Sequence, residues 1–264
     1  MRILLLGDVV GRPGRRAIRD LVPQLARTEE IDLVVANAEN AAGGMGVDLK
    51  SAQELFAGGA HVLTSGNHIW KKKEIYGYLD EDRRLLRPAN YPEGAPGRGW
   101  IEWQGESGFA ALIINLQGRV FMSSVDDPFR CVDSILRQHR DFSPVILVDM
   151  HAEATSEKTA MGWYLDGRVS MVYGTHTHVQ TADERILPQG TGYITDLGMC
   201  GPLDSVIGIE KQAVIDGFLS QLPRKFEVAA DNVVLQGVIV DVDPASGKAR
   251  ELRRVRIPWK GPAS

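Results

Sequence analysis

Short apolar runs alternate with helix-period patterns through the first third of the chain. Residues 3–6 read as a strand, after which Ile18, Leu21, Val22 and Leu25 recur at helical spacing, with Pro23 predicting a kink or a late start. Residues 33–36 predict a second strand, 48–56 a helix, 61–64 a third strand and 71–79 another short helix. Such alternation predicts βαβ units and a sheet covered by helices. Residues 88–99 hold three Pro and three Gly and predict a loop. Strand signals then dominate, at 109–116, 119–122, 145–148 and 169–173. They are interrupted by a helix with Asp127 as N-cap, Pro128 as first residue, and an apolar stripe of Phe129, Val132, Ile135 and Leu136. Val214, Phe218 and Leu222 mark a later helix, and 233–242, a turn at 244–247 and 249–257 predict a closing hairpin. The expectation is one α/β domain over residues 1–264, with two packed sheets and helices outside.

The polar residues matter most where the apolar runs stop. Residues 3–6 run into Gly7-Asp8, and 33–36 into Asn37-Ala38-Glu39-Asn40. The run 61–64 leads to Gly66-Asn67-His68, 145–148 to Asp149-Met150-His151, and 169–173 to Gly174-Thr175-His176-Thr177-His178. In open α/β sheets ligands bind at the carboxyl ends of the strands. If the five strands are neighbours, these side chains converge in one crevice. Each feature alone has an ordinary explanation: Gly-Asp after a strand is usually a turn, and a single histidine is more often structural than a ligand. Five strand ends repeating the same polar feature are hard to explain as loops.

The donor set points to metal. Asp8 and Glu39 offer anionic oxygen, Asn40 and Asn67 carbonyl oxygen, and His151, His176 and His178 imidazole nitrogen. These seven exceed the four ligands of a structural zinc site, and no cysteine is among them. Mixed N/O ligation without thiolate suits Mn, Fe, Zn or Co. A carboxylate able to bridge predicts two ions about 3.5–4 Å apart. His176 and His178, two residues apart on an extended segment, can point the same way, each to a different ion.

Composition narrows the classes without choosing one. Among 264 residues, 30 Lys+Arg face 34 Asp+Glu, giving a net charge of −4, and 44% are hydrophobic. That is ordinary globular usage, and a pI near 5.9 brings no bulk attraction to nucleic acid. The longest apolar run, 109–114, is six residues, against the roughly 20 of a membrane span. The start of the chain turns polar too soon for a signal peptide. Two cysteines make no disulfide framework, so a reducing, cytoplasmic compartment is expected. Of only six histidines, three (His151, His176 and His178) fall within 28 residues.

Gly66-Asn67-His68 together with Gly174-Thr175-His176-Thr177-His178 resembles the calcineurin-like metallophosphoesterase superfamily, where Gly-Asn-His and Gly-His-x-His motifs recur. Asp8 is followed by Val9-Val10 where that superfamily has Asp-x-His. Asn37-Ala38-Glu39-Asn40 stands in place of Gly-Asp-x-x-Asp. Both departures resemble one bacterial branch, the YmdB-like phosphodiesterases, and the likeness covers nearly the whole chain. Gly7-Asp8-Val9-Val10-Gly11, Ser65-Gly66-Asn67-His68, residues 166–183 and Thr195-Asp196-Leu197-Gly198-Met199 carry it further.

The resemblance implies a four-layer α/β/β/α sandwich with a di-metal centre, Fe or Mn first, with Zn, Co and Mg as the other candidates. Carried over by residue, Asp8, Asn40 and His178 hold one ion. Asn67, His151 and His176 hold the other, Glu39 bridges them, and His68 is the acid. The implied activity is hydrolysis of 2′,3′-cyclic nucleotides or cyclic AMP. A hydroxide between the ions would be the nucleophile, and His68 would protonate the departing ribose oxygen. Two alternatives stay open: a phosphomonoesterase or other di-metal phosphohydrolase, and a metal-dependent nucleotide sensor with little turnover. The expected partner is a small cyclic nucleotide, with no membrane and no bulk nucleic acid; self-association is left open.

Other features read as structural. Lys71-Lys72-Lys73 fits a solvated helix start, Arg83, Arg84 and Arg87 read as surface, and Cys200 lacks a neighbour that would activate it. His61 and His139 read as structural. Gly7, Gly11 and Gly14 match neither nucleotide-loop pattern and are expected to let the backbone pass a metal site.

Overall fold

The computed structural model describes residues 1–105 and 108–261, so residues 106, 107 and 262–264 of the expected domain lie outside the description. The first half alternates as expected: β1 (Arg2–Val9), α1 (Gly11–Thr28), β2 (Leu33–Asn37), α2 (Leu49–Ala57), β3 (Val62–Thr64) and α3 (Ile75–Glu81). Then come β4 (Trp100–Gln104), β5 (Ala110–Gln117), α4 (Pro128–Gln138), β6 (Ile146–His151), α5 (Thr155–Leu165) and β7 (Met171–Thr175). The chain continues with β8 (Arg185–Ile186), β9 (Gly192–Ile194), β10 (Met199–Pro202), α6 (Lys211–Ser220), β11 (Val233–Val242) and β12 (Ala249–Pro258).

These strands form two mixed six-stranded sheets, ordered β12-β11-β10-β1-β2-β3 and β4-β5-β6-β7-β9-β8. Strand β1 shows why the layers stack. Ile3 and Leu5 pack between the sheets with Val35, Leu147, Met171 and Tyr173, whereas Leu4 and Leu6 face the other way against Ile18, Val22 and Leu55 of α1 and α2. A strand buried on both faces reads as a continuous apolar run, which is what residues 3–6 are. On the far side, Leu112, Ile114 and Val148 meet Val132 and Ile135 of α4 and Met161 and Leu165 of α5. The result is an α/β/β/α sandwich. Among the described residues no helix is long and apolar enough to cross a membrane.

Local signals set several boundaries. Asp127 caps α4 through the Phe129 and Arg130 amides, with Pro128 as its first residue. Asp48 and Ser51 form a reciprocal cap on α2. Pro23 lies inside α1 without ending it. The helix expected over 71–79 is instead a 3-10 turn at Ile69–Lys71 followed by α3.

Three expectations fail for physical reasons. Residues 119–122 form no strand: the Arg119 and Val120 amides donate to the Glu157 carboxylate, and Phe121 adopts a left-handed φ of 62°. Arg87 is buried and not on the surface; its guanidinium donates to the Pro88 and Pro96 carbonyls and pins the 88–99 loop. Gly7 and Gly14 serve the packing of the chain leading into and along β10, and Gly11 takes a left-handed φ of 57° against Val228. A Cβ at Gly7 would stand 2.0 Å from the Gly198 carbonyl oxygen, and one at Gly14 would stand 2.2 Å from that of Cys200.

Candidate metal centre

The five strand ends do not belong to one sheet. β1, β2 and β3 end in the first sheet and β6 and β7 in the second, and the two carboxyl edges meet face to face. Parallel pairing puts Asp8 level with Asn37 and Asn37 level with Thr64 in one sheet, and His151 level with Thr175 in the other. Asn115 of β5 crosses between them, exchanging two hydrogen bonds with the Ser65 backbone and fixing the Gly66-Asn67-His68 turn. The Asn37 side chain accepts from the Glu39 amide and turns the chain after β2.

All eight predicted side chains are brought together. Ligand atoms of Glu39, His151 and His176 lie within 4.8 Å of one another. Nε2 of His151 is the node, 3.1 Å from Asn67 Oδ1, 3.1 Å from His176 Nδ1 and 3.3 Å from Glu39 Oε2. Asn40 Nδ2 is 3.0 Å from His178 Nε2, and His178 Nε2 is 3.8 Å from Asp8 Oδ1. His68 Nδ1 donates to Asn40 Oδ1 at 2.8 Å and lies 3.2 Å from Glu39 Oε1. A Cβ at Gly66 would stand 2.1 Å from His151 Nε2 and 2.5 Å from Glu39 Oε2, so only glycine closes this cradle.

The donors fit cations. Asp8 Oδ1 is buried and has no hydrogen-bond partner among the described residues, an arrangement that is costly unless a positive group meets it. Each histidine is also tied at its outer nitrogen. The Thr175 hydroxyl donates to Asp149, so its oxygen accepts from His151 Nδ1. His178 Nδ1 donates to the Ile207 carbonyl, and His176 Nε2 faces Glu153 at 3.2 Å. Those bonds aim the inner nitrogens (Nε2 of His151 and His178, Nδ1 of His176) at the cluster, where each can give a lone pair once it carries no proton, as metal-ligating histidines require. Asn40 departs from this pattern: its carbonyl oxygen is turned to His68, and ligation through oxygen calls for a half-turn of the amide.

The charges are tightly coupled. Burial alone would raise the Glu39 carboxyl, but His151 and His68 outweigh it and hold it well below the usual range. Burial opposes protonation of His151, yet Glu39 and Asp8 raise its pKa to about 9. Burial and then the His151 charge lower His176 to about 3. Asp8 is raised by burial, against the pull of His178 and His151. The backbone here is also strained: His176 and His178 have φ of 101° and 65°, a region that costs a non-glycine residue on the order of 1–3 kcal/mol.

Above the centre opens a cleft of about 1120 Å³. Glu39, Asn40, His68, His176 and His178 lie at its floor, and α6 with the segment after it, including Phe218, Leu222, Arg224 and Phe226, forms an apolar wall. No residue of α6 is buried, and Phe218 is 74% exposed.

The sequence profile of the YmdB-like protein family matches residues 4–255. The chain belongs to the YmdB-like family. It is 48% identical over 257 residues to the 2′,3′-cyclic-nucleotide 2′-phosphodiesterase of Bacillus subtilis (strain 168), covering 97% of each chain. A crystal structure of a hypothetical protein from Thermus thermophilus superposes with a TM-score of 0.92 at 40% identity, covering 98% of this chain and 99% of that one. A crystal structure titled a novel phosphatase from Mycoplasma pneumoniae does so at 0.92 and 35%, covering 98% and 93%.

Several groups in this YmdB-like centre escape a reading by residue type. Thr175, Asp149 and Asn37 orient His151, and Glu153 partners His176. Asp149 was within reach of the sequence, since it shares a strand face with His151 two residues on. Burial raises its pKa to about 7, partly offset by His151. The remaining histidines have structural contacts: His61 Nδ1 accepts from the Val34 amide, and His139 meets Glu102 at 2.7 Å. Cys200 is buried, with its thiol pushed up to about 12, which removes it as a nucleophile.

Proposed function

We propose that this chain is a metal-dependent phosphodiesterase that hydrolyses cyclic nucleotides, 2′,3′-cyclic nucleotides first and cyclic AMP second. The observation that carries the reading is the convergence of Asp8, Glu39, Asn67, His151, His176 and His178, with an Asp8 carboxylate oxygen that is buried and unpartnered among the described residues, beneath an open cleft whose floor includes Glu39, His176 and His178. The name of the 48% identical relative supplies the substrate class.

Asp8, Asn40 and His178 would hold one ion, Asn67, His151 and His176 the other, and Glu39 would lie between. Mn, Fe, Zn or Co suits these donors, and the resemblance to the YmdB-like branch puts Fe or Mn first. Two cations would neutralise the charge that builds on the phosphoryl oxygens and supply hydroxide near neutral pH. The protein's own groups do the rest. The bonds at Thr175 and Ile207 hold the His151 and His178 rings in place. His68, gripped at Nδ1 by Asn40, gives a proton to the departing ribose oxygen as the P–O2′ bond breaks, leaving a 3′-phosphate. Arg224 has no ion-pair partner among the described residues and lines the cleft, where it would meet an anionic substrate. The apolar wall of Phe218, Leu222 and Phe226 suits the flat face of a base.

The test is turnover of a cyclic-nucleotide panel alongside bis(p-nitrophenyl) phosphate and p-nitrophenyl phosphate, with and without added metal. Diester turnover that needs metal supports the reading. Preference for the monoester makes the chain a phosphomonoesterase on the same scaffold, and metal-dependent binding without product makes it a sensor.

A further inference from the structure

One buried ion pair lies outside the donor set yet touches its most strained segment. Lys158 of α5 and Asp196, just beyond β9, are 1% and 0% exposed and meet at 2.7 Å. A charge pair this deep in the fold is a poor source of stability against apolar groups of the same size, so its place asks for another reason. The same Asp196 Oδ2 accepts from the Thr177 amide at 3.2 Å, and Oδ1 accepts from the Gly198 amide at 2.8 Å. Thr177 sits between His176 and His178, whose left-handed backbone needs outside support. The support on one side is Asp8, which accepts from the His176 amide at 3.0 Å. On the other it is Asp196, locked in turn by bonds between its backbone and Thr181. The lysine reaches this point because residue 174 is glycine. A Cβ there would stand 2.8 Å from Lys158 Cδ and 1.8 Å from the Thr195 carbonyl oxygen.

We propose that the Lys158–Asp196 pair is a positioning element that clamps the His176-Thr177-His178 backbone in the conformation that presents both imidazoles to the metal centre. Lys158 keeps the Asp196 carboxylate aimed, and Asp196 holds the Thr177 and Gly198 amides with its two oxygens. An asparagine has one acceptor oxygen, so it can serve only one of those amides while its amide nitrogen faces the other. The proposal rests on the reading of the centre as a metal site and goes beyond it by assigning two residues that touch no ion.

The test is titration of the purified chain with Mn²⁺ by calorimetry, for the wild type, Lys158→Met, Asp196→Asn and the double variant. Met161→Ala, in the core on the same helix, serves as a matched destabilising control. Groups that orient metal ligands typically change affinity by about 10–100-fold. The expected result is a loss of roughly tenfold or more in Mn²⁺ affinity for each folded single variant, with Met161→Ala unchanged. If Lys158→Met does not fold, the double variant, which leaves no unpaired buried charge, is expected to fold and to show the same loss. Wild-type affinity in folded Lys158→Met or in the double variant, or an equal loss in Met161→Ala, overturns the clamp. A wild-type chain that binds no Mn²⁺ removes the metal centre itself and this proposal with it.

Discussion

The floor and the wall of the cleft are built in opposite ways. At the floor and directly beneath it, Glu39, Asn40, Asp8 and His151 are at most 1% exposed, stand at the ends of central strands, and are held by bonds reaching into both sheets. The wall is α6, a helix with no buried residue that shows Phe218, Leu219 and Ile215 to solvent. On the proposed function, chemistry that tolerates little misplacement would sit where the fold is over-determined, and groups that choose among substrates would sit on an element that can change at little cost to stability. Altering the floor should therefore destroy turnover, and altering the wall should redirect it.

The largest effect is expected at the floor. Glu39→Ala should lower kcat by ~10³-fold, as loss of several kcal/mol of metal-based stabilisation implies, and should lower the metal content measured after dialysis. His68→Ala comes next: at least ~10²-fold on 2′,3′-cyclic nucleotides. The loss should be much smaller on bis(p-nitrophenyl) phosphate, whose phenolate leaves without an acid. An equal loss on both would reassign His68 from acid to positioning. At the wall, Phe218→Ala should raise KM for cyclic nucleotides by ~10-fold, the lower end of what base stacking supplies. It should leave kcat, turnover of ribose 2′,3′-cyclic phosphate without a base, and unfolding free energy within about 0.5 kcal/mol unchanged. A loss of kcat instead would break the division between floor and wall.

The smallest effect reads the charge at the floor. His151, raised to about 9, holds a proton at pH 7.5, and an ion taking its Nε2 must displace it. About one proton should be released per chain at this nitrogen, seen as a binding heat that varies with the ionisation enthalpy of the buffer. The sign follows: affinity should fall as pH drops below about 9, by up to ~tenfold per unit.

The floor was legible in the sequence because five apolar runs each end in the same kind of polar cluster, which ordinary turns do not explain together. The stacking of two sheets was legible from strand runs such as 3–6 and 109–114, apolar on both faces. What stayed hidden is instructive. Helix α5 carries Glu157 and Lys158 on its buried side, so it shows no clean apolar stripe. The strands β8 to β10 are two to four residues long, too short for periodicity to mark. The run 119–122 has strand composition, but Glu157 captures its amides. Arg87 looks like surface until the carbonyls of the 88–99 loop surround it. For the run 119–122 and for Arg87 a polar contact made only in the fold overrides the local pattern.

The most direct test of the central claim is the metal stoichiometry of the chain, measured together with turnover of 2′,3′-cyclic nucleotides as Mn²⁺ is added back to chelated protein. Turnover absent in the chelated protein and complete at two ions per chain is the result expected from this floor. Full turnover without metal, or at a single ion whose binding ignores the loss of His151 and Asn67, would contradict it.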